Sequence, residues 1–194
     1  RMPRVMKEEY PASLMMIQET GGLQAGEVFC DTSLNMTNSH TAAFLLTHGA
    51  RGISFSLESS LQDCSAIKRC FQERYAVDAP FFYTVYGRAE LMLSEYCPIN
   101  SVICNHTDRN CGLCRQGAEY ALLDVKQNRY PILCDESCRT HILHYEVRNH
   151  IDSIPEAKQH GIQHFLCTFT MEGEADCHRI ITACKAQLQM KQGV

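Results

Sequence analysis

Along the chain, short β-patterned runs repeatedly give way to helical patterns with no hairpin turn between them, and this rhythm restricts the fold more than any other feature. Glu27 to Met36 (EVFCDTSLNM) reads as a strand from its Val, Phe and Leu content. Asn38 and Ser39 then cap a short helix, Thr41 to His48, stopped by Gly49. Gly52 to Leu57 (GISFSL) alternates, with Ile53, Phe55 and Leu57 on one side. The following stretch to Tyr75 places Leu61, Cys64, Ile67 and Phe71 at helical spacing. Phe81 to Tyr86 is the next strand. Further on, Ser153 caps a helix with Pro155 and Glu156 in its first turn and Gly161 as its stop. Ile162 to Phe169 reads as a strand, and Glu174 to Met190 as an amphipathic helix with Ile180, Ile181, Cys184 and Leu188 on its apolar stripe. Strands joined by crossover helices pair in parallel, so the reading is α/β with about four parallel strands. That is half of the eight that a closed (β/α) barrel needs. An open half-barrel leaves raw sheet edges, which predicts a missing amino-terminal half or a partner chain. The chain opens on Arg1 rather than Met, and its beginning reads as cut. Pro11 to Glu19 is a further helical stretch, broken at Gly21-Gly22.

With 194 residues, 45% of them hydrophobic and 21% charged, the chain can bury one sizeable core. A net charge of -4 gives no global pull toward nucleic acid, although a local basic patch would not show in that sum. No run approaches the ~18 apolar residues of a membrane span, and no signal peptide pattern opens the chain. A soluble, cytoplasmic protein is the expectation.

Twelve cysteines are too many to explain as structural disulfides in a reducing compartment. Cys30, Cys64, Cys70, Cys167, Cys177 and Cys184 sit among apolar residues on strand or helix patterns, where a thiol packs as a small hydrophobe. The other six, Cys97, Cys104, Cys111, Cys114, Cys134 and Cys138, fall in one interval beyond the Phe81 strand. Tyr120 to Asp124 and Arg129 to Cys134, flanking the polar turn at residues 125–128, predict an antiparallel hairpin inserted between Cys114 and Cys138. At the end of a barrel strand, such an insertion lies on the face where α/β barrels keep their chemistry. Clustered thiols either cross-link, bind a metal or hold an iron-sulfur cluster. By spacing alone, the two close pairs Cys111-x-x-Cys114 and Cys134-x-x-x-Cys138 match a four-thiolate zinc knuckle.

LNMTNS (Leu34 to Ser39), SFSLESS (Ser54 to Ser60), VYGRAELMLSEYCPI (Val85 to Ile99), the CxxC at Cys111 and Cys114, YALLD (Tyr120 to Asp124) and CDESCRTHIL (Cys134 to Leu143) follow one another across nearly the whole chain. Their order and spacing resemble peptidase family U32, the collagenase-like peptidases. The resemblance implies a partial (β/α) barrel of which residues 1–194 are the carboxyl-terminal half, with a Cys-rich insertion at residues 97–138. Some relatives look like iron-sulfur proteins that hydroxylate RNA pyrimidines or a quinone precursor without molecular oxygen, using an oxygen-donating organic acid. Carried over by motif position, the ligands of a 4Fe-4S cluster would be Cys97, Cys111, Cys114 and Cys138, with Cys104 spare. The chain departs from the family pattern at Asn100, Val125 and His144, which bears on the substrate pocket more than on the cluster.

Three function classes follow: an iron-sulfur hydroxylase acting on RNA with a small organic co-substrate, a peptidase acting on collagen-like or unfolded chains, and a non-catalytic zinc-stabilised domain. The sequence holds no HExxH and no GxSxG, which weakens proteolysis; a Cys104–His106 pair is the remaining thiol-protease constellation. Arg88, beside Gly87 at a strand end, reads either as a fork for phosphate or carboxylate or as half of a surface ion pair. Asn35 and Glu58 sit near strand ends, where they would bind substrate or, more ordinarily, cap the next helix. Asp135 and Arg139 read as tethers of the loop that carries Cys138, with Arg139 a further substrate-binding candidate. Most of the histidines from His141 to His164 read as surface or core residues.

Overall fold

A computed structural model of the chain describes residues 15–104 and 111–189, the side chain of Cys104 excepted. In chain order the elements are β1 (Met16–Ile17), β2 (Val28–Cys30), α1 (Ser39–Thr47), β3 (Ala50–Ser54), α2 (Leu61–Tyr75), β4 (Phe81–Gly87), β5 (Glu90–Ser94), β6 (Tyr120–Leu123), β7 (Arg129–Cys134), β8 (Thr140–Leu143), β9 (Arg148–Asn149), α3 (Ile154–Gln159), β10 (His164–Cys167) and α4 (Glu174–Gln189), with short 3-10 and π turns between them. They form a mixed α/β architecture: a parallel sheet of about five strands in the order β1-β2-β3-β4-β10, and an antiparallel sheet in the order β5-β8-β7-β6. The described residues divide into two compact units, residues 15–84 with Asp152–Leu166, and Val85–Ile151 with Cys167–Gln189.

The first unit follows the strand-helix rhythm. β1, β2, β3 and the start of β4 pair in parallel, with Cys30 opposite Ile53 and Ile53 opposite Phe81. Its core holds Val28, Cys30, Met36, Ile53, Phe55, Phe71 and Phe81, each at most 2% exposed. Phe55 stacks on Phe81 at 5.5 Å, and Phe71 meets Phe81 edge-on at 5.3 Å. Both helix starts are capped by side chains that the sequence supplies. Asn38 Oδ1 accepts from the Thr41 amide at 2.9 Å. Ser60 and Asp63 form a reciprocal capping box, with Leu61, Cys64, Ile67 and Phe71 buried beyond it. Asn35 and Glu58 therefore do not cap the helices. Ser153 makes no capping hydrogen bond either, because a 3-10 turn over Ile151–Ser153 runs straight into α3.

The helix expected over Pro11–Glu19 is not formed in its described part. Residues 16 and 17 are a strand instead: the Phe29 amide donates to Met15 O at 2.8 Å and the Asp31 amide to Ile17 O at 2.9 Å. Pairing along β2 satisfies backbone groups that a short helix end would leave to solvent, and it buries Ile17. Residues 11–14 lie outside the described residues. This strand is why the parallel sheet has about five strands and not four.

In the second unit the hairpin β6–β7 forms as expected, with Ala121 opposite Pro131. Asp124 organises its turn, accepting from the Lys126 and Asn128 amides at 2.7 and 2.9 Å. The hairpin is extended by β8 and β5, so the insertion is a four-stranded sheet rather than a hairpin alone. Neither added strand shows the burial alternation that marks one in sequence: Leu91, Met92 and Leu93 of β5 are all exposed.

Gly52 tests the packing of the first unit. A Cβ there would stand 2.7 Å from Phe82 Cε2 and 3.0 Å from Phe29 Cδ1, between two rings that already meet edge-on at 5.6 Å. Gly52→Ala is expected to cost about 1–3 kcal/mol through overpacking, seen as a lower midpoint in thermal unfolding. An unchanged midpoint would contradict this packing.

Candidate metal centre

Each thiol of the interval is set by a local turn. Cys97 follows β5 through a bend in which the Tyr96 amide donates to Ser94 Oγ at 3.0 Å. Its carbonyl accepts the Ser101 amide at 3.2 Å, starting the π turn Asn100–Cys104. The Asn100 amide points at Cys97 Sγ, 3.5 Å away. Cys111 and Cys114 flank Gly112, whose φ of +69° is a left-handed conformation that glycine adopts without strain. From there a single 3-10 turn, Leu113–Arg115, carries Cys114. Cys134 ends β7 directly opposite Thr140 on β8.

Cys138 sits in the β7–β8 turn with a φ of +58°, unusual for a residue bearing a Cβ. The Asp135 carboxylate holds that turn. Its Oδ1 accepts from the Ser137 and Arg139 amides at 2.9 and 2.8 Å, and its Oδ2 from Arg139 Nε at 2.7 Å. The Cys138 amide donates to Asp135 O at 3.0 Å. Although burial opposes it, the Arg139 amide and guanidinium hold the Asp135 carboxyl below the usual range. His141 joins from β8, its Nδ1 2.9 Å from Glu90 Oε2 and its Nε2 3.6 Å from Asp135 Oδ2. The expected tether of Cys138 by Asp135 and Arg139 is present.

These turns bring five sulfurs to one cavity of about 210 Å³, lined by Cys97, Cys111, Gly112, Cys114, Arg115, Cys134 and Cys138. Burial, followed by the nearby Cys114 and Cys97 sulfurs, pushes the Cys134 thiol up to about 12. Among the described residues, no three His, Cys, Asp or Glu side chains are drawn together closely enough to hold a single metal ion. The sulfurs line a space instead of converging on a point. A set of thiol donors suits a soft metal ion such as zinc and an iron-sulfur cluster alike. Fully buried Thr140, opposite Cys134, places its hydroxyl in hydrogen-bond reach of the Cys134 sulfur and opposes the rise of that thiol.

Both expected ligand sets lie in this lining: Cys97, Cys111, Cys114 and Cys138 for a cluster, and Cys111, Cys114, Cys134 and Cys138 for zinc. Spare Cys104 ends the π turn, and His106 lies outside the described residues. Among the proposed substrate-binding residues, Arg88 donates from Nη1 to the carbonyls of His144, at 3.0 Å, and Tyr145, while its Nε is buried without a partner. It clamps the backbone after β8. Arg139 is engaged by Asp135. Asn35 adopts a left-handed φ of +49°, and its side-chain carbonyl accepts from the Ser56 hydroxyl; exposed Glu58 donates its amide to the same Ser56 oxygen at 3.2 Å. Of the cysteines expected in the core, Cys30, Cys64 and Cys184 are buried and Cys167 and Cys177 are half-buried, but Cys70 is exposed on the outer face of α2. Arg115 was not legible as a site residue, since only the turn after Cys114 places it at the cavity.

The fold and the cavity define a mixed α/β protein with a cysteine-lined pocket formed by an antiparallel insertion. The sequence model for peptidase family U32 matches residues 11–190, and the chain belongs to that family. Searches of curated proteins and of solved structures return no match.

The Asp135 turn makes the site testable without touching a thiol. Asp135→Ala is expected to weaken metal retention about 10–100-fold, as loss of an outer-shell partner does, measured by competition with a chelator. Retention equal to the parent protein would show that the turn does not position Cys138.

Proposed function

We propose that the protein is an iron-sulfur-dependent hydroxylase of peptidase family U32, acting on RNA pyrimidines without molecular oxygen. One observation carries the reading: Cys97, Cys111, Cys114 and Cys138, the set implied by resemblance to cluster-bearing relatives, line one roomy cavity. Cys97 is the discriminating member, because a zinc knuckle of two close pairs would not need it. These four thiolates would hold a 4Fe-4S cluster, which when bound supplies one-electron redox chemistry.

The remaining steps belong to the chain's own residues. Asp135, through Arg139 and the Cys138 amide, fixes the fourth thiolate so that little reorganisation accompanies loading. Arg115, an exposed cation at the cavity, attracts an anion to the site, either an RNA phosphate or the carboxylate of an organic co-substrate. The choice of a pyrimidine and of an organic oxygen donor rests on the family resemblance. So does the proposal that the parallel sheet is part of a (β/α) barrel completed by an amino-terminal half or a partner chain. No helix among the described residues is long and apolar enough to cross a membrane. The zinc reading draws support from Cys134, which shares the cavity. The peptidase reading rests on the family to which the chain belongs, and a gelatin-degradation assay tests it.

Metal analysis after anaerobic purification separates these readings. The expected result is about four irons and four sulfides per chain with a broad absorbance near ~400 nm, lost in Cys97→Ser and kept in Cys134→Ser. One zinc per chain, no colour, and loss of metal in Cys134→Ser but not in Cys97→Ser would establish the structural site instead.

A further inference from the structure

Outside the metal centre, the second unit holds a second pair of sulfurs. Cys167, the last residue of β10, and Cys184, on the buried face of α4, place their Sγ atoms 3.5 Å apart. Cys184 is 8% exposed and Cys167 half-buried, so the pair is shielded on the α4 side and reachable at the strand end. Ordinary packing would account for two thiols in contact. Their position adds something packing does not require: together they bracket the segment between β10 and α4 that carries Glu172. There Glu172 Oε1 accepts from the Tyr86 hydroxyl at 3.0 Å, and Oε2 from the Thr170 and Met171 amides at 2.7 and 3.1 Å. The third cysteine of this region, Cys177, points elsewhere, its thiol 3.9 Å from Glu172 O.

We propose that Cys167 and Cys184 are a reversible disulfide site, oxidised by hydrogen peroxide, that staples α4 to the end of β10. Bond formation requires the sulfurs to close by about 1.5 Å, to the ~2.05 Å of a disulfide, a change of the size that side-chain rotation and small adjustments of a helix supply. In the first step the more accessible Cys167 thiolate attacks a peroxide oxygen; the O–O bond breaks, and a sulfenic acid and hydroxide form. In the second, the Cys184 sulfur attacks the sulfenic sulfur, the S–O bond breaks and the S–S bond forms. In sum two thiols and one peroxide give one disulfide and two waters, with two electrons passing from sulfur to oxygen. Burial, and then the neighbouring Cys184 sulfur, push the Cys167 thiol up to about 12. Cys167 therefore rests protonated at neutral pH, so it reacts slowly and responds to sustained oxidation rather than to brief exposure.

Tryptic mapping of the full chain tests the site. After prolonged peroxide treatment, capping of free thiols and digestion without reductant, Cys184 lies on the peptide Ile180–Lys185, and Cys167 and Cys177 on Gln159–Arg179. In the Cys177→Ser variant the two peptides are expected to be joined, at least tenfold in excess over any other partner of Cys184, and separated by dithiothreitol. Recovery of Cys184 as the capped free thiol in that variant, or its linkage to a cysteine other than Cys167, overturns the proposal. Oxidation of the parent protein is expected to slow protease cleavage between residues 168 and 183, and dithiothreitol to restore it.

Discussion

Thiols that are to hold an inorganic group must be close enough to share it yet be kept from cross-linking, and the antiparallel insertion answers that constraint. β7 and β8 fix Cys134 opposite Thr140, and the turn between the two strands swings Cys138 into a left-handed conformation that the Asp135 carboxylate holds with three hydrogen bonds. Against this rigid edge the Cys111–Cys114 turn and the bend at Cys97 need only local geometry to reach the same space. The cost of a residue with a Cβ at positive φ is offset by the amides and guanidinium gathered on one carboxylate. Were that carboxylate neutralised, the Arg139 guanidinium would lose its ionic partner and the Cys138 turn its anchor.

Much of the first unit was legible because its signals are local. The capping box at Ser60 and Asp63, the apolar spacing of Leu61, Cys64, Ile67 and Phe71, and the alternation of Ile53 and Phe55 each reflect interactions within a few residues. β1 was misread because Leu14, Met15 and Met16 favour a helix locally, and only pairing with β2, a dozen residues on, makes an extended chain better. Likewise β5 carries apolar residues on both faces and reads as a strand only beside β8. Cys70 stood at a position where the helical stripe had already turned toward solvent.

The site divides in the same way. Its cysteines were visible as a cluster along the chain, since Cys134 and Cys138 lie across one turn and Cys111 and Cys114 across another. Arg115, Thr140 and the His141–Glu90 contact were not visible, because each depends on strands or turns that come together only in three dimensions. Asn35 and Glu58 illustrate the converse: sequence placed them near strand ends, and the structure joins both to Ser56, a partner no spacing rule names. Arg88 has a guanidinium turned to the backbone carbonyls of His144 and Tyr145, a role in shaping the chain after β8 that its residue type and position do not reveal.

X-ray absorption at the iron and zinc edges of the anaerobically purified protein addresses the convergence of these sulfurs most directly. The account predicts iron in a sulfur shell with a second shell of neighbouring irons, the signature of a polynuclear centre. Zinc surrounded by four sulfurs at ~2.3 Å with no metal neighbour would contradict it.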